Sequence, residues 1–246
     1  MKRWVSVMVL LTLLVVAIFS LGKIADYCYH SNENQNNIRK LILDDDLKGE
    51  NYRRLKEQNP DLVGWIRIPG TPVDYPVIWT PDEPEKYLRT DFDGSYSLCG
   101  LPFISADCKV SSVPTDRAYA NTLIYGHHMQ DGSMFAVLTQ YENQDFYEKH
   151  KTIEFDRIFD DGSYEEYTYK IFSAFKTETG KGFEYYRYAD VDDADRFNEY
   201  LENVETFNLL TYKWTVDNVS DLMTLSTCSY HVSGDKGRFV VVAGRK

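Results

Sequence analysis

Apolar residues change their spacing several times along this chain. Residues 4–21 form one uncharged, almost wholly apolar run, which at about 1.5 Å per residue is near the lower limit for a bilayer-spanning helix. Between 33 and 58 the apolar positions thin to Ile38, Leu41, Ile42 and Leu55 among many charges. That texture is helical, with Lys48-Gly49-Glu50 expected to break it into two helices and Pro60 to close it. Beyond Leu62 short β-rich runs take over, 63–68 and 73–78 flanking the turn Pro69-Gly70-Thr71-Pro72, then 101–105, 121–125, 152–157, 164–177, 221–227 and 238–243. The last contains Phe239-Val240-Val241-Val242-Ala243 and reads as a buried strand. One stretch departs from this pattern. Val191, Ala194, Phe197, Leu201 and Val204 recur at helical spacing after an acidic start at Asp190. They predict an amphipathic helix over 190–204, in the long connection before the penultimate strand. Short strands with few helices predict a mainly β fold, a closed or nearly closed barrel of seven or eight strands.

Charge orients this arrangement. Lys2 and Arg3 precede the apolar run, which places the N-terminus in the cytoplasm by the positive-inside bias. A cleaved signal peptide would need a small-x-small site, and Leu21-Gly22-Lys23-Ile24-Ala25-Asp26 offers no clear one. Cys28 follows Asp26 and Tyr27, outside any lipid-attachment context. The expected organisation is a cytoplasmic stub at 1–3, a single transmembrane anchor at 4–22, an extracellular helical segment at 23–60 packing on the barrel, and the barrel domain at 61–246. Residues 31–246 carry 24 basic and 37 acidic side chains, a net charge of −13. Such a surface repels nucleic acid and anionic headgroups. The exported part is large enough for one substantial core, and no Pro/Gly/Ser linker divides it.

Four cysteines, Cys28, Cys99, Cys108 and Cys228, are too few for a disulfide framework in a domain of this size. Cys99 and Cys108 could bridge a short loop, while Cys28 lies beside the membrane. Cys228 is left without an obvious partner outside the cell, at the C-terminal end of the β-like run 222–227. Alone it fits a small packed hydrophobe better than a nucleophile. His127 and His128 follow the strand-like run 122–125 and Gly126. An imidazole near a thiol of pKa about 8.5 can take its proton and later donate to a leaving amine. The bland reading is a solvated His-His pair, and no ligand spacing supports a zinc site. Arg238 opens the final strand, and a hairpin with 221–227 would return its guanidinium towards Cys228. A cationic fork of donors suits a carbonyl oxygen gaining charge, although Arg238 taken alone is better read as a surface arginine opposite Asp235.

Taken together, Thr224-Leu225-Ser226-Thr227-Cys228 followed by Arg238 in Gly237-Arg238-Phe239-Val240 resembles the active-site signature of sortases. The segment from Asn121 through Tyr125, Gly126, His127, His128 and Met129 resembles the one that carries the family's catalytic histidine. The N-terminal anchor, the helices before the first strand and the helix in the late loop resemble class B members. The resemblance implies Cys228, His127 and Arg238 as catalytic residues, His127 rather than His128 because it directly follows the glycine, and no cofactor. It implies cleavage of a C-terminal sorting motif after its threonine, a thioacyl-enzyme at Cys228, and transfer of the protein to an amine of the lipid-linked peptidoglycan precursor. Ser226 would face the same side of its strand as Cys228. With Thr227 and Tyr230 it is a candidate substrate contact. Some class B members carry a carboxylate just after the cysteine, where this chain has Ser229 and Tyr230.

Three other functions compete with anchoring. A pilin polymerase would use a subunit lysine as acceptor, but the lid loop often seen in such enzymes is missing from the sequence. A hydrolytic cysteine peptidase would use water, and a non-catalytic surface-binding module would tolerate loss of Cys228. The acidic residues at 190–195 read as a solvated helix start rather than a calcium site.

Overall fold

The computed structural model describes residues 2–41, 47–110, 120–189, 191, 193–212, 219, 221–232 and 234–245. Ile42 and Asp190, used above as pattern markers, lie outside the described residues, as do the side chains of Lys2 and Arg3.

One helix, α1 (Lys2–Leu41), covers both the apolar run and the first of the expected polar helices. Its apolar stretch has a mean hydropathy of 2.7 and none of it is buried. By length and composition α1 is long and apolar enough to cross a membrane. Farther along, one face turns inward: Ser31, Asn34 and Ile38 are buried against the domain.

The expected break at Lys48-Gly49-Glu50 is not there. These residues form the first turn of α2 (Lys48–Gln58), and the division falls between Leu41 and Lys48 instead. Tertiary contacts outweigh the roughly 1 kcal/mol that glycine costs a helix. Lys48 Nζ lies 2.8 Å from Asp156 and 2.6 Å from Glu166, and Tyr52, buried with Leu55, donates its hydroxyl to Asp156 at 2.6 Å. This burial and the charge-assisted bonds pin α2 on the outside of the sheet.

Eight strands follow: β1 (Leu62–Arg67), β2 (Asp74–Ile78), β3 (Phe103–Ile104), β4 (Ala120–Tyr125), β5 (Thr152–Ile158), β6 (Tyr164–Glu178), β7 (Asp221–Cys228) and β8 (Gly237–Arg245). They close into a barrel in the order β1-β2-β3-β4-β7-β8-β6-β5. Two pairs, β2–β3 and β4–β7, are parallel and the rest antiparallel. Closure leaves no sheet edge to attract a foreign strand. Phe239 through Ala243 are fully buried, as the run of β-formers in β8 predicts. The strand expected over 101–105 shrinks to two residues in β3.

A short helix, α3 (Gln144–Lys149), precedes β5, and α4 (Ala194–Phe207) lies between β6 and β7, the penultimate strand. α4 begins four residues later than the apolar spacing suggests, because Asp193 accepts the Arg196 N–H at 2.8 Å and sets the N-cap. Its inward face is Phe197, Tyr200 and Val204. Val191 is buried ahead of the helix, Leu201 is half-buried, and Ala194 is exposed. The Tyr200 hydroxyl bonds Thr224 Oγ1 at 2.6 Å, tying α4 to the middle of β7.

Candidate active site

The parallel pairing of β4 with β7 decides where the chemistry gathers. Tyr125 stands opposite Ser226, so the two chains leave the sheet side by side at the same end. β4 runs on into Gly126 and His127, and β7 ends at Cys228. β8 arrives antiparallel with Arg238 directly opposite Cys228 in register. Three residues far apart in sequence thus line one open cavity of about 500 Å³.

Local bonds lock the histidine segment to the cysteine strand. Gly126 N–H donates to the Ser226 carbonyl at 3.1 Å, Thr227 Oγ1 donates to the Gly126 carbonyl at 2.8 Å, and a ring N–H of His128 donates to the Cys228 carbonyl at 2.9 Å. Gly126 is required by packing, since a Cβ there would lie 2.5 Å from the Phe135 ring. Gly237 meets a similar limit. A Cβ at that position would sit 2.0 Å from the Ser229 carbonyl, yet Ser229 N–H must reach the Gly237 carbonyl at 2.9 Å to close the hairpin behind Cys228.

His127 Nε2 lies 2.9 Å from the Leu88 carbonyl. A carbonyl only accepts, so Nε2 carries the hydrogen and the neutral ring keeps its lone pair on Nδ1. Burial lowers the His127 pKa and the Arg89 charge adds to this, while the bond to Leu88 partly opposes both. The imidazole is therefore neutral at pH 7. Arg238 Nη1 donates to the carbonyls of Asp235 and Gly237. The alternative reading of a surface arginine opposite Asp235 meets a contact with the Asp235 backbone oxygen. Among the described residues the guanidinium bonds carbonyls and no carboxylate, which leaves its charge available to the cavity.

The four thiols are clearly distinguished. Cys99 and Cys108 are buried and not bridged to each other, and burial pushes the Cys99 thiol up to about 11. Cys28 is exposed on α1. Cys228 is half-buried at the wall of the cavity that His127 and Arg238 also line.

Ser226 and Thr227 also line the cavity, whereas Tyr230 does not. Tyr230 is exposed and packs its ring 5.3 Å from that of His128. Several neighbours were not legible in the sequence. Tyr185 is buried in the connection after β6 and bonds Ser226 Oγ at 2.6 Å; only the general abundance of tyrosine pointed towards it. The Leu88 carbonyl left no signal, being backbone. With Ser229 and Tyr230 after the cysteine, the cavity receives its carboxylates from elsewhere, Glu85 and Asp107.

A family model described as "Sortase domain" matches residues 66–246. The chain is 30% identical to Sortase B of Staphylococcus aureus, over 99% of this chain and 97% of that protein. It is also 30% identical to Sortase B of Listeria monocytogenes, over 98% and 96% respectively. The solved structure of a Staphylococcus aureus sortase B–substrate complex superposes with a TM-score of 0.71 at 30% identity, covering 88% of this chain and 97% of that one.

Proposed function

The chain belongs to the sortase family, as a class B cysteine transpeptidase, and from that premise we propose that Cys228 is its nucleophile, His127 its proton carrier and Arg238 its oxyanion donor. The observation that carries this reading is their convergence on one cavity from three strand ends. His127 Nδ1, which holds the ring's lone pair, takes the Cys228 thiol proton, and the sulfur attacks the carbonyl of the threonine in a C-terminal sorting motif. The developing oxyanion takes hydrogen bonds from the Arg238 nitrogens other than the engaged Nη1. The C–N bond breaks, His127 passes a proton from Nδ1 to the leaving amine, and a thioacyl-enzyme remains. An acceptor amine then attacks the thioester, His127 takes its proton, and the Cys228 thiolate leaves. Because the thioester conserves the energy of the cleaved amide, the exchange needs no ATP outside the cell.

Ser226, Thr227 and Tyr230 are proposed substrate contacts, the first two within the cavity and Tyr230 at its approach. We assign α1 as a single-pass anchor, residues 4–22 in the bilayer and the N-terminus cytoplasmic, with 23–60 and the barrel at 61–246 outside. This geometry keeps the enzyme beside lipid-linked cell-wall precursor, the favoured acceptor.

The test uses the full chain in detergent with threonine-containing sorting peptides, with and without an acceptor amine, read by mass spectrometry. The expected result is a peptide adduct on Cys228 and amine-dependent ligation. Peptide cleavage that no amine diverts would make the protein a hydrolase, and the absence of any adduct on a folded sample would refute the mechanism for those peptides. Competition between a peptidoglycan-type amine and a lysine-bearing pilin peptide separates anchoring from pilin polymerisation.

A further inference from the structure

The polar stripe of α1 reaches the site. Tyr27, Ser31, Asn34 and Ile38 are spaced four, three and four apart and so share one helix face. Ser31, Asn34 and Ile38 are nearly fully buried. Their polar contacts fall on two segments. The first is the loop that carries His127: the Tyr27 hydroxyl accepts the Gln130 N–H at 3.0 Å, and the Ser31 hydroxyl donates to the Asp131 carboxylate. The second is the segment that contains Leu88: Asn34 Nδ2 donates to Ser97 Oγ at 3.0 Å, and Asn37 Nδ2 donates to Asp91 at 3.0 Å. Ser97 N–H returns to the Arg89 carbonyl at 2.9 Å, next to Leu88.

These two segments meet at the bond between His127 and the Leu88 carbonyl. The barrel holds the base of the histidine loop, through Gly126 N–H to the Ser226 carbonyl, Thr227 Oγ1 to the Gly126 carbonyl, the His128 ring to the Cys228 carbonyl and Met134 N–H to the Tyr75 hydroxyl at 3.1 Å, while Phe135 N–H closes the loop on the His127 carbonyl at 2.8 Å. Met134 has φ 55°, a left-handed conformation unfavourable for a side chain of that size, so the turn needs outside support. The loop tip, Met129–Gly132, gets that support from α1.

We propose that the anchoring helix is a positioning element for the catalytic histidine, with Tyr27, Ser31, Asn34 and Asn37 tying together the two segments between which the His127 imidazole is held. This rests on the role given to His127 above. Membrane anchoring and proton transfer are then linked by one rigid helix. A domain cut free of α1 keeps its barrel but holds the imidazole loosely.

The experiment compares the full chain in detergent with Ser31→Ala/Asn34→Ala, Tyr27→Phe, Ser31→Thr and His127→Gln. In the double variant, kcat for amine-dependent ligation is expected to fall about tenfold, with the peptide KM changing less than twofold, since the lost interaction acts on proton transfer. As the loop loosens and water reaches the ring, the acid limb of the pH profile should move up towards the ordinary histidine value. Tyr27→Phe should lower kcat by a smaller factor, and Ser31→Thr, which keeps the hydroxyl, should stay close to wild type. A double variant with wild-type kcat and pH profile overturns the proposal, as does a raised KM at constant kcat. If the double variant fails to fold, Tyr27→Phe decides by the same criteria, because it removes one oxygen from a half-buried ring. His127→Gln separates the two levels of the argument. If it ligates at the wild-type rate, the assignment of His127 is wrong; if it is inactive while the α1 variants are unimpaired, only the positioning role falls.

Discussion

The two ends of the parallel β4–β7 pair are built from the same strands and differ in how charge is handled. At the N-terminal end, where Ala120 stands opposite Asp221, the carboxylate of Asp221 receives Arg245 Nε at 2.9 Å and Nη2 at 2.7 Å together with the Tyr169 hydroxyl at 2.9 Å. The Arg245 guanidinium lies 4.0 Å over the Tyr167 ring. Burial and the Asp221 charge hold the Tyr169 hydroxyl well above its usual pKa. The cavity there is only about 60 Å³. Its thiol, Cys108, is occupied with the Leu123 N–H and the Asn121 carbonyl. At the C-terminal end, Arg238 bonds backbone carbonyls, the His127 imidazole is neutral, and Cys228 faces a cavity of about 500 Å³. Paired charges close one end of the barrel, while at the other, among the described residues, the arginine bonds carbonyls and no carboxylate.

Substitutions can break this contrast at either end. The largest effect is expected from Cys228→Ala, which should lower ligation by about 10⁴-fold or more, with the melting temperature within a few degrees of wild type. Cys108→Ala, by contrast, should leave ligation intact, as a peptide-ligation assay on both will show. Arg238→Ala should reduce kcat by roughly 10²–10³-fold, the usual consequence of losing one oxyanion donor, with a much smaller change in peptide KM. Arg238→Lys should recover only part of this, because a point charge lacks the planar fork.

A pH profile of kcat/KM sharpens the comparison further. In the proposed mechanism His127 must be neutral to take the thiol proton, and it becomes protonated as pH falls through its folded pKa. That pKa lies below the usual 6.5, so the acid limb should fall below 6.5. The same depression affects stability. Between 6.5 and the lower folded value the unfolded chain binds a proton that the native state refuses, so His127 lowers stability as pH drops through that window. An acid limb at or above 6.5 would contradict the buried, neutral imidazole. The smallest functional effect belongs to the closed end. Asp221→Asn should cost about 1–3 kcal/mol in denaturant unfolding, through the weakened bonds to Arg245 and Tyr169, and leave kcat unchanged.

Local patterns were legible where neighbours in sequence determine conformation. The alternation and β-rich composition of 63–68, 73–78 and 238–243 mark strands because side-chain direction alternates along any strand. The segment 48–50 misled because Lys48 finds Asp156 and Glu166, roughly a hundred residues away, and a short-range rule cannot see them. The start of α4 was misplaced because Asp193 caps the helix after the apolar spacing has already begun. Within the site, Cys228, His127 and Arg238 could be named because the motifs around them resemble those of a known family; position at a strand end alone favoured a packed cysteine and a surface arginine. Tyr185, Glu85, Asp107 and the Leu88 carbonyl could not, since each reaches the cavity from a connection whose path depends on the finished barrel.

By itself, then, the sequence determined an apolar N-terminal helix, a β-rich domain and a cysteine, a histidine and an arginine at the ends of strands, because hydrophobic period, turn chemistry and residue type are local properties. Only the tertiary structure decided that these ends meet. It selected the ring nitrogen of His127 that carries the hydrogen, left Arg238 bonded to carbonyls, and laid the polar face of α1 across the histidine loop. Those outcomes depend on strand register and on contacts between residues far apart in the chain, and both exist only once the barrel has closed.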